Sequence, residues 1–330
     1  MSIKVHNHPL LQAFRRQFTH NSTTCLAQCC DTWLQLNRSR IKESTYVKYH
    51  AILHKHIKPL LGNTPINALN AVGVEEFSHR LLQEYGLAPK TVRDILAVLR
   101  SVLRYAGKQP GLSVQPLEIV YPKLTKAQMR ILTRQEQGSF IAYLLQDMDA
   151  CKFGVLLSLL TGLRIGEVCA LQWSNISLEN RTISVRATMQ RLQDHSSKDG
   201  RKTKVLISQP KSDSSSRLIP LTEYTAKLCS CMQCDDPDAY ILTGSALRYI
   251  EPRLLQYKLE QYTGACGLED VHFHTLRHTF ATRCIEVDFE IKSLSEILGH
   301  SSPRITLERY VHPSMDTKRS NMNKLSAIGF

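Results

Sequence analysis

The stretch LLTGLRIGEVCALQWSNI, residues 159–176, contains a helix break that fixes the position of one arginine. Gly162 interrupts the helical pattern, and Arg164 stands at the start of the helix that follows. Four apolar side chains of this second helix are predicted to face inward: Ile165, Val168, Cys169 and Leu171. Arg164 is therefore predicted to project from a firmly anchored position. Taken by itself, the segment is explained more simply by a helix-start arginine that pairs with Glu167.

The segments on both sides of this stretch predict a mixed α+β domain that is mostly helical. RQEQGSFIAYLL (134–145) and CKFGVLLSLLTG (151–162) have helical periodicity, and helices resume from about residue 245. Three intervening runs are rich in Val, Ile and Thr and are typical of strands: RTISVRATMQRL (181–192), TKVLISQ (203–209) and SRLIPL (216–221). Helices around one small antiparallel sheet are expected.

The amino-terminal part is helical from about residue 22 and predicts an all-α bundle. Its clearest helix, KTVRDILAVLRSVLRYAG (90–107), carries one apolar face: Val92, Ile95, Leu96, Leu99, Val102 and Leu103. Arg93, Arg100 and Arg104 fall within about 40° of one another, away from that face. Such a row usually means a solvated surface, but Asp94 is the segment's one acidic residue. Contact with phosphate groups is therefore favoured.

The sequence divides into five parts. The stretch GKQPGLSVQPLEIVYPKLTKAQ breaks the helical periodicity with several prolines and is typical of a linker. We expect a short basic segment at 1–21, a helical domain at 22–108, a linker at 109–125, an α+β domain at 126–317 and a tail at 318–330.

The charge of the chain indicates a polyanionic partner. Lys and Arg number 42 against 29 Asp and Glu, which gives a net charge of +13 at pH 7. The basic excess is concentrated in residues 1–125, as expected of a surface that contacts phosphate groups and releases counterions. A basic but unspecialised surface remains an alternative on net charge alone.

The composition also indicates where in the cell the protein acts and whether it uses a cofactor. No run of eighteen apolar residues is present, and the start of the chain lacks a signal peptide, so we expect a cytoplasmic protein without a membrane partner. The 10 cysteines are expected to be free thiols. Cys229, Cys231 and Cys234 resemble part of a zinc site but lack a second ligand pair. No nucleotide-binding loop or carboxylate cluster is found, so no cofactor and no metal are expected.

Two further segments carry side chains suited to phosphate chemistry. In HFHTLRHTFATRC (272–284), His274 and Arg277 are three residues apart and share a helix face. In LGHSSPRITLERYVH (298–312), Gly299 is predicted to end a helix just before His300. Ser302 and Pro303 then begin the helix that leads to Tyr310.

Taken in order, these motifs resemble those of the tyrosine recombinase (phage integrase) family. The motifs are TGLRIGEVCALQW, QPKSDSSSRLIPL, HTLRHTFATR and LGHSSPRITLERYVH, and the resemblance spans the whole α+β domain. The helical domain resembles the family's core-binding domain, above all in integrases of phages and conjugative transposons. The resemblance implies a site-specific DNA recombinase that cleaves and rejoins strands through a 3′-phosphotyrosyl intermediate, without ATP or metal, for integration or excision of a mobile element.

The resemblance also implies a role for each residue. Tyr310 would be the nucleophile, and Arg164 and Arg277 would hold the non-bridging phosphate oxygens. His274 would assist proton transfer and phosphate binding, and His300 would hydrogen-bond the scissile phosphate. Glu167 would support an arginine.

The leaving 5′ oxygen needs a proton, which the family supplies from a lysine on a β-hairpin turn. Lys211 in QPKSDSSSR matches that position. Three lysines crowd the preceding loop and are candidates for gripping the DNA backbone instead: Lys198, Lys202 and Lys204.

Alternatives remain for the activity and the assembly. The resemblance implies double-stranded DNA and a homotetramer on DNA as partners, with accessory DNA-bending or directionality proteins. A type IB topoisomerase, which relaxes DNA as a monomer, would use the same chemistry. A non-catalytic DNA-binding protein on the same scaffold would be expected to lack a catalytic residue. The apolar tail, with Leu325, Ile328 and Phe330, would dock either on a neighbouring protomer or on its own.

Overall fold

The computed structural model describes residues 24–124, 129–194, 202–208, 216–311, 319 and 322–323. The chain forms two compact units, residues 1–127 and 128–330. No described helix is long and apolar enough to cross a membrane. The predicted fold class, a helical bundle followed by a mostly helical α+β domain, is confirmed. The predicted basic segment at 1–21 lies outside the described residues, as does most of the predicted tail.

The first unit is mostly helical between Leu26 and Ala106, with short turns between its helices. They are α1 (Leu26–Asn37), α2 (Glu43–Ile52), a π-helical turn (Leu53–Ile57), α3 (Lys58–Leu61), α4 (Ala71–Gln83) and α5 (Pro89–Ala106). Pro89 begins α5, where its missing N–H leaves no helix bond unmade. All six apolar residues predicted to form one face of α5 are buried. They pack into one core with Trp33 of α1 and Phe77 of α4.

The second unit combines helices with short strands. Its helices are α6 (Arg134–Leu145), α7 (Ala150–Thr161), α8 (Ile165–Cys169), a 3-10 turn (Trp173–Asn175), α9 (Glu223–Met232), α10 (Pro252–Ala265), α11 (Phe273–Glu286), α12 (Ile291–Leu298) and α13 (Pro303–Tyr310). Its strands are β1 (Ile176–Ser177), β2 (Thr182–Val185), β3 (Thr188–Gln193), β4 (Thr203–Ser208) and β5 (Arg217–Pro220).

The strands pair antiparallel, as predicted, but in two sheets rather than one. β1, β2 and β5 form one sheet, in which Ile183 is opposite Ile219. β3 and β4 form the other, in which Met189 is opposite Ile207. The run RTISVRATMQRL was predicted as a single strand and is divided, because its first half pairs with β5 and its second half with β4.

Helix α9 was not predicted, and it contains two of the three clustered cysteines. Thr222 caps the helix by accepting a hydrogen bond from the Thr225 N–H at 3.2 Å. Cys229 is buried in α9 and Cys231 is exposed, so the two thiols face different environments. Among the described residues, no group of three or more His, Cys, Asp or Glu side chains could hold a metal ion.

The core of the second unit is organised around α7, which is buried along nearly its whole length. Phe153 of α7 stacks on Trp173, with ring centroids 5.9 Å apart. Helix α11 packs along α7, and α12 and α13 pack on α11. This packing brings the carboxyl ends of α7, α12 and α13 towards the side chains of α11.

Candidate active site

Tyr310 is the last residue of α13 and is buried, with 7% of its surface exposed. Its Oη lies 2.8 Å from Nδ1 of His278 on α11. As predicted, Ser302 caps α13 by accepting a hydrogen bond from the Arg304 N–H at 3.1 Å, and Pro303 is the first helical residue. The phenol therefore lies at the end of α13, whose start is capped by Ser302 and whose last residue contacts His278.

His300 lies beside Tyr310, across the turn that joins α12 to α13. Helix α12 ends at Gly299, which has a left-handed φ of 62°, as predicted. The rings of His300 and Tyr310 are nearly parallel, at an angle of 6° with centroids 6.3 Å apart. Nδ1 of His300 lies 2.8 Å from Oγ1 of Thr306, which fixes the orientation of the imidazole.

Arg277 is held by main-chain carbonyl groups at the ends of two helices. Its Nη1 donates to the carbonyl oxygen of Gly162, at the end of α7, at 2.7 Å, and its Nη2 donates to that of Leu298 in α12. The side chain is only 4% exposed. Its guanidinium is thus fixed between two helix ends, where the partial negative charge of the carbonyl groups favours a cation.

Arg164 approaches from the other side of the same turn. Its Nη2 donates to the carbonyl oxygen of Gly299 at 3.0 Å, and its Nη1 donates to Oε1 of Glu167 at 2.7 Å. Glu167 also accepts from the backbone N–H of Arg164 at 2.9 Å. The simple ion pair expected of this segment is therefore present, yet it directs the arginine towards Arg277 and the histidines.

A cleft of about 280 Å³ joins these side chains. It is lined by Arg164, His274, Arg277, His278, Gly299, His300, Ser301, Ile305 and Arg309. Four predicted site residues therefore meet in one cleft, and Tyr310 borders it through its contacts with two of the lining histidines. Lys211 lies outside the described residues.

Arg217 supports this cleft and was not singled out from the sequence. Its Nη1 and Nη2 donate to the two carboxylate oxygens of Glu167 at 3.0 and 2.9 Å, and its Nε donates to the carbonyl oxygen of Ile297 at 2.5 Å. The side chains of Arg217 and Glu167 are 5% and 3% exposed. Glu167 thus connects α8 to β5. An arginine within a short strand is common in proteins, so its presence in the sequence could not have predicted this supporting role.

The cleft is electrostatically suited to an anion. Burial raises the pKa of Glu167, but the hydrogen bonds and charge of Arg217, with the charge of Arg164, lower it to about 2, so the carboxylate is ionised. Burial and the charge of Arg164 lower the pKa of Arg277. Burial and the guanidinium groups of Arg277 and Arg164 lower the pKa of His300 to about 3, and the same three causes lower that of His274.

The nucleophile candidate and its partner are both uncharged at neutral pH. Burial raises the pKa of Tyr310 above its ordinary value, although Arg277, Arg309 and Arg164 oppose this. Burial and the charges of His274, Arg309 and Arg277 lower the pKa of His278 to about 4. An anion in the cleft would meet fixed guanidinium groups, neutral imidazoles and a phenol.

The side chains of His278 and Arg309 also line the cleft and were not predicted from the sequence. His278 directly follows Arg277 and lies one helical turn after His274. Arg309 directly precedes Tyr310. Each residue is next to a predicted site residue, and this was the one signal that could have identified it. That the two residues meet in one cleft depends on how α11 and α13 pack, which no local pattern predicts.

The predicted DNA-contacting side chains have different environments. Arg100 and Arg104 are exposed on α5. Arg93 is partly buried, because its Nη1 donates to the carbonyl oxygen of Pro122 at 3.1 Å and its guanidinium lies 5.1 Å from the ring centroid of Tyr121.

The loop lysines are partly described. Lys202 is exposed just before β4, and Nζ of Lys204 lies 3.6 Å from a carboxylate oxygen of Asp194. Lys198 lies outside the described residues.

Comparison with known proteins finds two matching family models. The Phage integrase family matches residues 130–317, and the N-terminal SAM-like domain of phage integrases matches residues 25–82. A tyrosine recombinase XerC-like protein of Caldanaerobacter subterraneus subsp. tengcongensis is 25% identical over 325 residues, which cover 92% of this chain and 83% of that protein.

Solved structures share the fold over most of the chain. The Tn1549 transposon integrase in complex with transposon right end DNA has a TM-score of 0.74 at 21% identity, and the match covers 92% of this chain and 99% of that one. A lambda integrase tetramer bound to a Holliday junction has a TM-score of 0.63 at 18% identity, with 93% of this chain and 81% of that chain covered.

Proposed function

Because the chain belongs to the phage integrase family, with a match that spans residues 130–317, we propose that it is a site-specific DNA recombinase of a mobile element. The predicted resemblance to tyrosine recombinases is confirmed. The observation that carries the proposal is the position of the Tyr310 phenol beside a cleft lined by three guanidinium groups and three imidazoles.

The proposed reaction exchanges one phosphoester bond for another. Oη of Tyr310 attacks the phosphorus of the scissile linkage, a bond to the DNA 3′ phosphate forms, and the bond to the 5′ oxygen breaks. The free 5′ hydroxyl of a partner strand then attacks the phosphotyrosine and releases Tyr310. Each step forms one phosphoester bond for every one that it breaks, so strand joining requires no ATP.

Arg164 and Arg277 would stabilise the transition state, which carries more negative charge on the phosphate oxygens than the ground state. A guanidinium has five N–H donors, so the donors that do not bind carbonyl groups can bind phosphate oxygens. Their contacts with Gly162, Gly299 and Leu298 hold them in place before DNA binds. Loss of either guanidinium would cost roughly 3–4 kcal/mol of transition-state stabilisation, by analogy with an oxyanion-hole donor.

The remaining roles follow the positions in the cleft. His274 and His300 would donate hydrogen bonds to the phosphate, and Glu167 would orient Arg164 through their ion pair.

Lys211 would protonate the leaving 5′ oxygen. A DNA linkage with sulfur in place of that oxygen needs no proton on leaving, so such a substrate should restore cleavage by Lys211→Ala but not by Tyr310→Phe.

Double-stranded DNA would be the substrate, and the assembly would be a homotetramer. The Tn1549 integrase binds transposon-end DNA, and the lambda integrase tetramer binds a Holliday junction. The net charge of +13 supports binding to a polyanion. We further propose that the tail at 318–330 docks either on a neighbouring protomer or on its own, that accessory DNA-bending or directionality proteins assist, and that the protein acts in the cytoplasm.

A nicked half-site substrate tests the nucleophile directly. Cleavage next to the nick releases a short fragment, which traps the protein on DNA as a covalent adduct visible in a denaturing gel. The protein should form the adduct, and Tyr310→Phe should not. Tyr257→Phe, which removes an exposed phenol from α10, is the matched control and should react normally. An adduct with Tyr310→Phe would contradict the assignment.

A further inference from the structure

His278 contacts the oxygen that is to react. Its Nδ1 lies 2.8 Å from Oη of Tyr310, and the ring centroids are 5.6 Å apart. The hydrogen bond joins α11 to the last residue of α13. Tyr310 is 7% exposed, so bulk water is a poor acceptor for its phenolic hydrogen. A phenol that attacks phosphorus must lose this proton, and it needs an acceptor within hydrogen-bond distance.

We propose that His278, rather than His274, is the base that accepts the phenolic proton of Tyr310. This proposal rests on the proposed function. As Oη bonds to phosphorus, its proton passes to Nδ1 of His278, and the bond from phosphorus to the 5′ oxygen breaks. The 5′ oxygen takes a proton from a separate acid. During strand joining the steps reverse, and His278 returns the proton to Tyr310.

The neighbouring groups are less suited to this task. Nδ1 of His300 lies 2.8 Å from the Thr306 hydroxyl, and the His300 ring lies parallel to the phenol rather than edge-on to its oxygen. Arg309 can only donate hydrogen bonds. The ring of His274 is 6.2 Å from that of His278 and lines the cleft with Arg277. Among the described residues, His278 is thus the candidate base whose ring nitrogen already lies within hydrogen-bond distance of the phenol. It accepts the phenolic hydrogen in the tautomer that carries its own proton on Nε2.

The charge state of His278 fits an acceptor. Burial, followed by the charges of His274, Arg309 and Arg277, lowers its pKa to about 4, so the imidazole is neutral at pH 7 and has one nitrogen free to take a proton. A DNA phosphate in the cleft brings negative charge that opposes the repulsion from Arg309 and Arg277. The basicity of His278 therefore rises when the substrate is bound.

Two substitutions separate proton acceptance from positioning. His278→Ala removes the contact, whereas His278→Asn keeps an amide oxygen near the position of Nδ1 but cannot take up a proton. In single-turnover cleavage of the nicked half-site, both variants should form the covalent adduct roughly 10²- to 10⁴-fold more slowly than the unsubstituted protein. Near-normal cleavage by His278→Asn would overturn the proposal, because a hydrogen-bond acceptor alone would then suffice.

A more acidic phenol provides the decisive readout. With 3,5-difluorotyrosine in place of Tyr310, the phenol ionises more readily and needs less help from a base. This change should restore the His278→Asn rate much more than it changes the rate of the otherwise unsubstituted protein. Absence of such a rescue would overturn the proposal, because loss of positioning is not repaired by acidity.

Controls separate this proposal from the function on which it rests. Binding of the same DNA in a gel-shift assay establishes that the variants fold, and His278→Asn carries the test alone if the alanine variant does not. If the unsubstituted protein forms the adduct and His278→Asn matches its rate, only the role of His278 fails. If the unsubstituted protein forms no adduct with its cognate site, the proposed function fails as well.

Discussion

Glu167 holds two arginines with one carboxylate, and its environment determines what its loss would cost. Nη1 of Arg164 and both Nη atoms of Arg217 donate to it, and Arg217 is almost fully buried. Removing one partner of a buried ion pair leaves the other charge without compensation, which costs more than the pair contributes. The carboxylate therefore stabilises the fold as well as orienting Arg164.

Replacement of Glu167 by glutamine should lower the free energy of unfolding by about 3–5 kcal/mol at pH 7. Because the pKa of Glu167 is lowered from 4.5 to about 2 in the folded protein, its stabilisation is complete above the unfolded value and is lost as the pH falls towards 2. Urea denaturation of both proteins at pH 7 and pH 3 should show the difference shrinking at the lower pH.

The control for this measurement is an exposed pair on α4. Oε2 of Glu84 lies 3.1 Å from Nε of Arg80, and both side chains are about half exposed. Glu84→Gln should change stability by less than about 1 kcal/mol. A Glu167→Gln protein that is no less stable than Glu84→Gln would contradict a supporting role for the buried carboxylate.

At the scale of elements, the ends of α7 and α12 determine where the two guanidinium groups lie. Both helices end in a left-handed glycine, Gly162 with φ 69° and Gly299 with φ 62°. The turns present the carbonyl groups of Gly162, Leu298 and Gly299 to the arginines. A side chain at Gly162 would also meet its neighbours, since an added Cβ would lie 2.7 Å from Cδ1 of Phe280.

Gly162→Ala should therefore destabilise the protein by roughly 3–5 kcal/mol, through backbone strain and overpacking together. It should also slow adduct formation, because it shifts the carbonyl group that holds Arg277. Gly267→Ala is a matched control, since Gly267 has a φ of 66° but an added Cβ would meet no atom within 4 Å. The control should lose about 1–2 kcal/mol and retain cleavage. If urea denaturation shows that Gly162→Ala and Gly267→Ala lower the free energy of unfolding equally, overpacking at Gly162 is excluded.

The sequence predicted those features of the site that local patterns encode. Gly299 and Ser302 mark helix ends with residues whose backbone or side chain suits that position, and both were confirmed. The pairing of His278 with Tyr310 was not predictable, because it depends on how α11 and α13 pack across 32 residues of chain. The division of the strands between two sheets likewise depends on which distant strand each half of the run pairs with.

At the scale of the whole molecule, the positive charge and the cleft serve different parts of the proposed reaction. The excess of basic residues is concentrated in the amino-terminal part, where Arg100 and Arg104 are exposed on α5. The guanidinium groups of Arg164 and Arg277 in the cleft are instead held by carbonyl groups and Glu167. Affinity for DNA and the rate of strand cleavage should therefore respond to different substitutions.

Arg100→Ala and Arg104→Ala should each reduce the slope of log affinity against log salt concentration by about 1, because each phosphate contact releases roughly one counterion. Single-turnover cleavage at saturating protein should be unchanged. Arg80→Ala, which removes an exposed arginine already paired with Glu84, should leave the slope as it was. Unchanged slopes for both α5 variants, measured by fluorescence anisotropy over a range of salt, would exclude this face from the DNA interface.

Within the described parts of the chain, the acceptors that hold Arg164 and Arg277 are main-chain oxygens, apart from the carboxylate of Glu167. A substitution can exchange a side chain, but it cannot remove a carbonyl group from the polypeptide. Changes to the exposed surface are therefore expected to leave these two guanidinium groups in place. The substitutions expected to displace them are at two residues that have no side chain, Gly162 and Gly299, whose left-handed backbone forms the two turns.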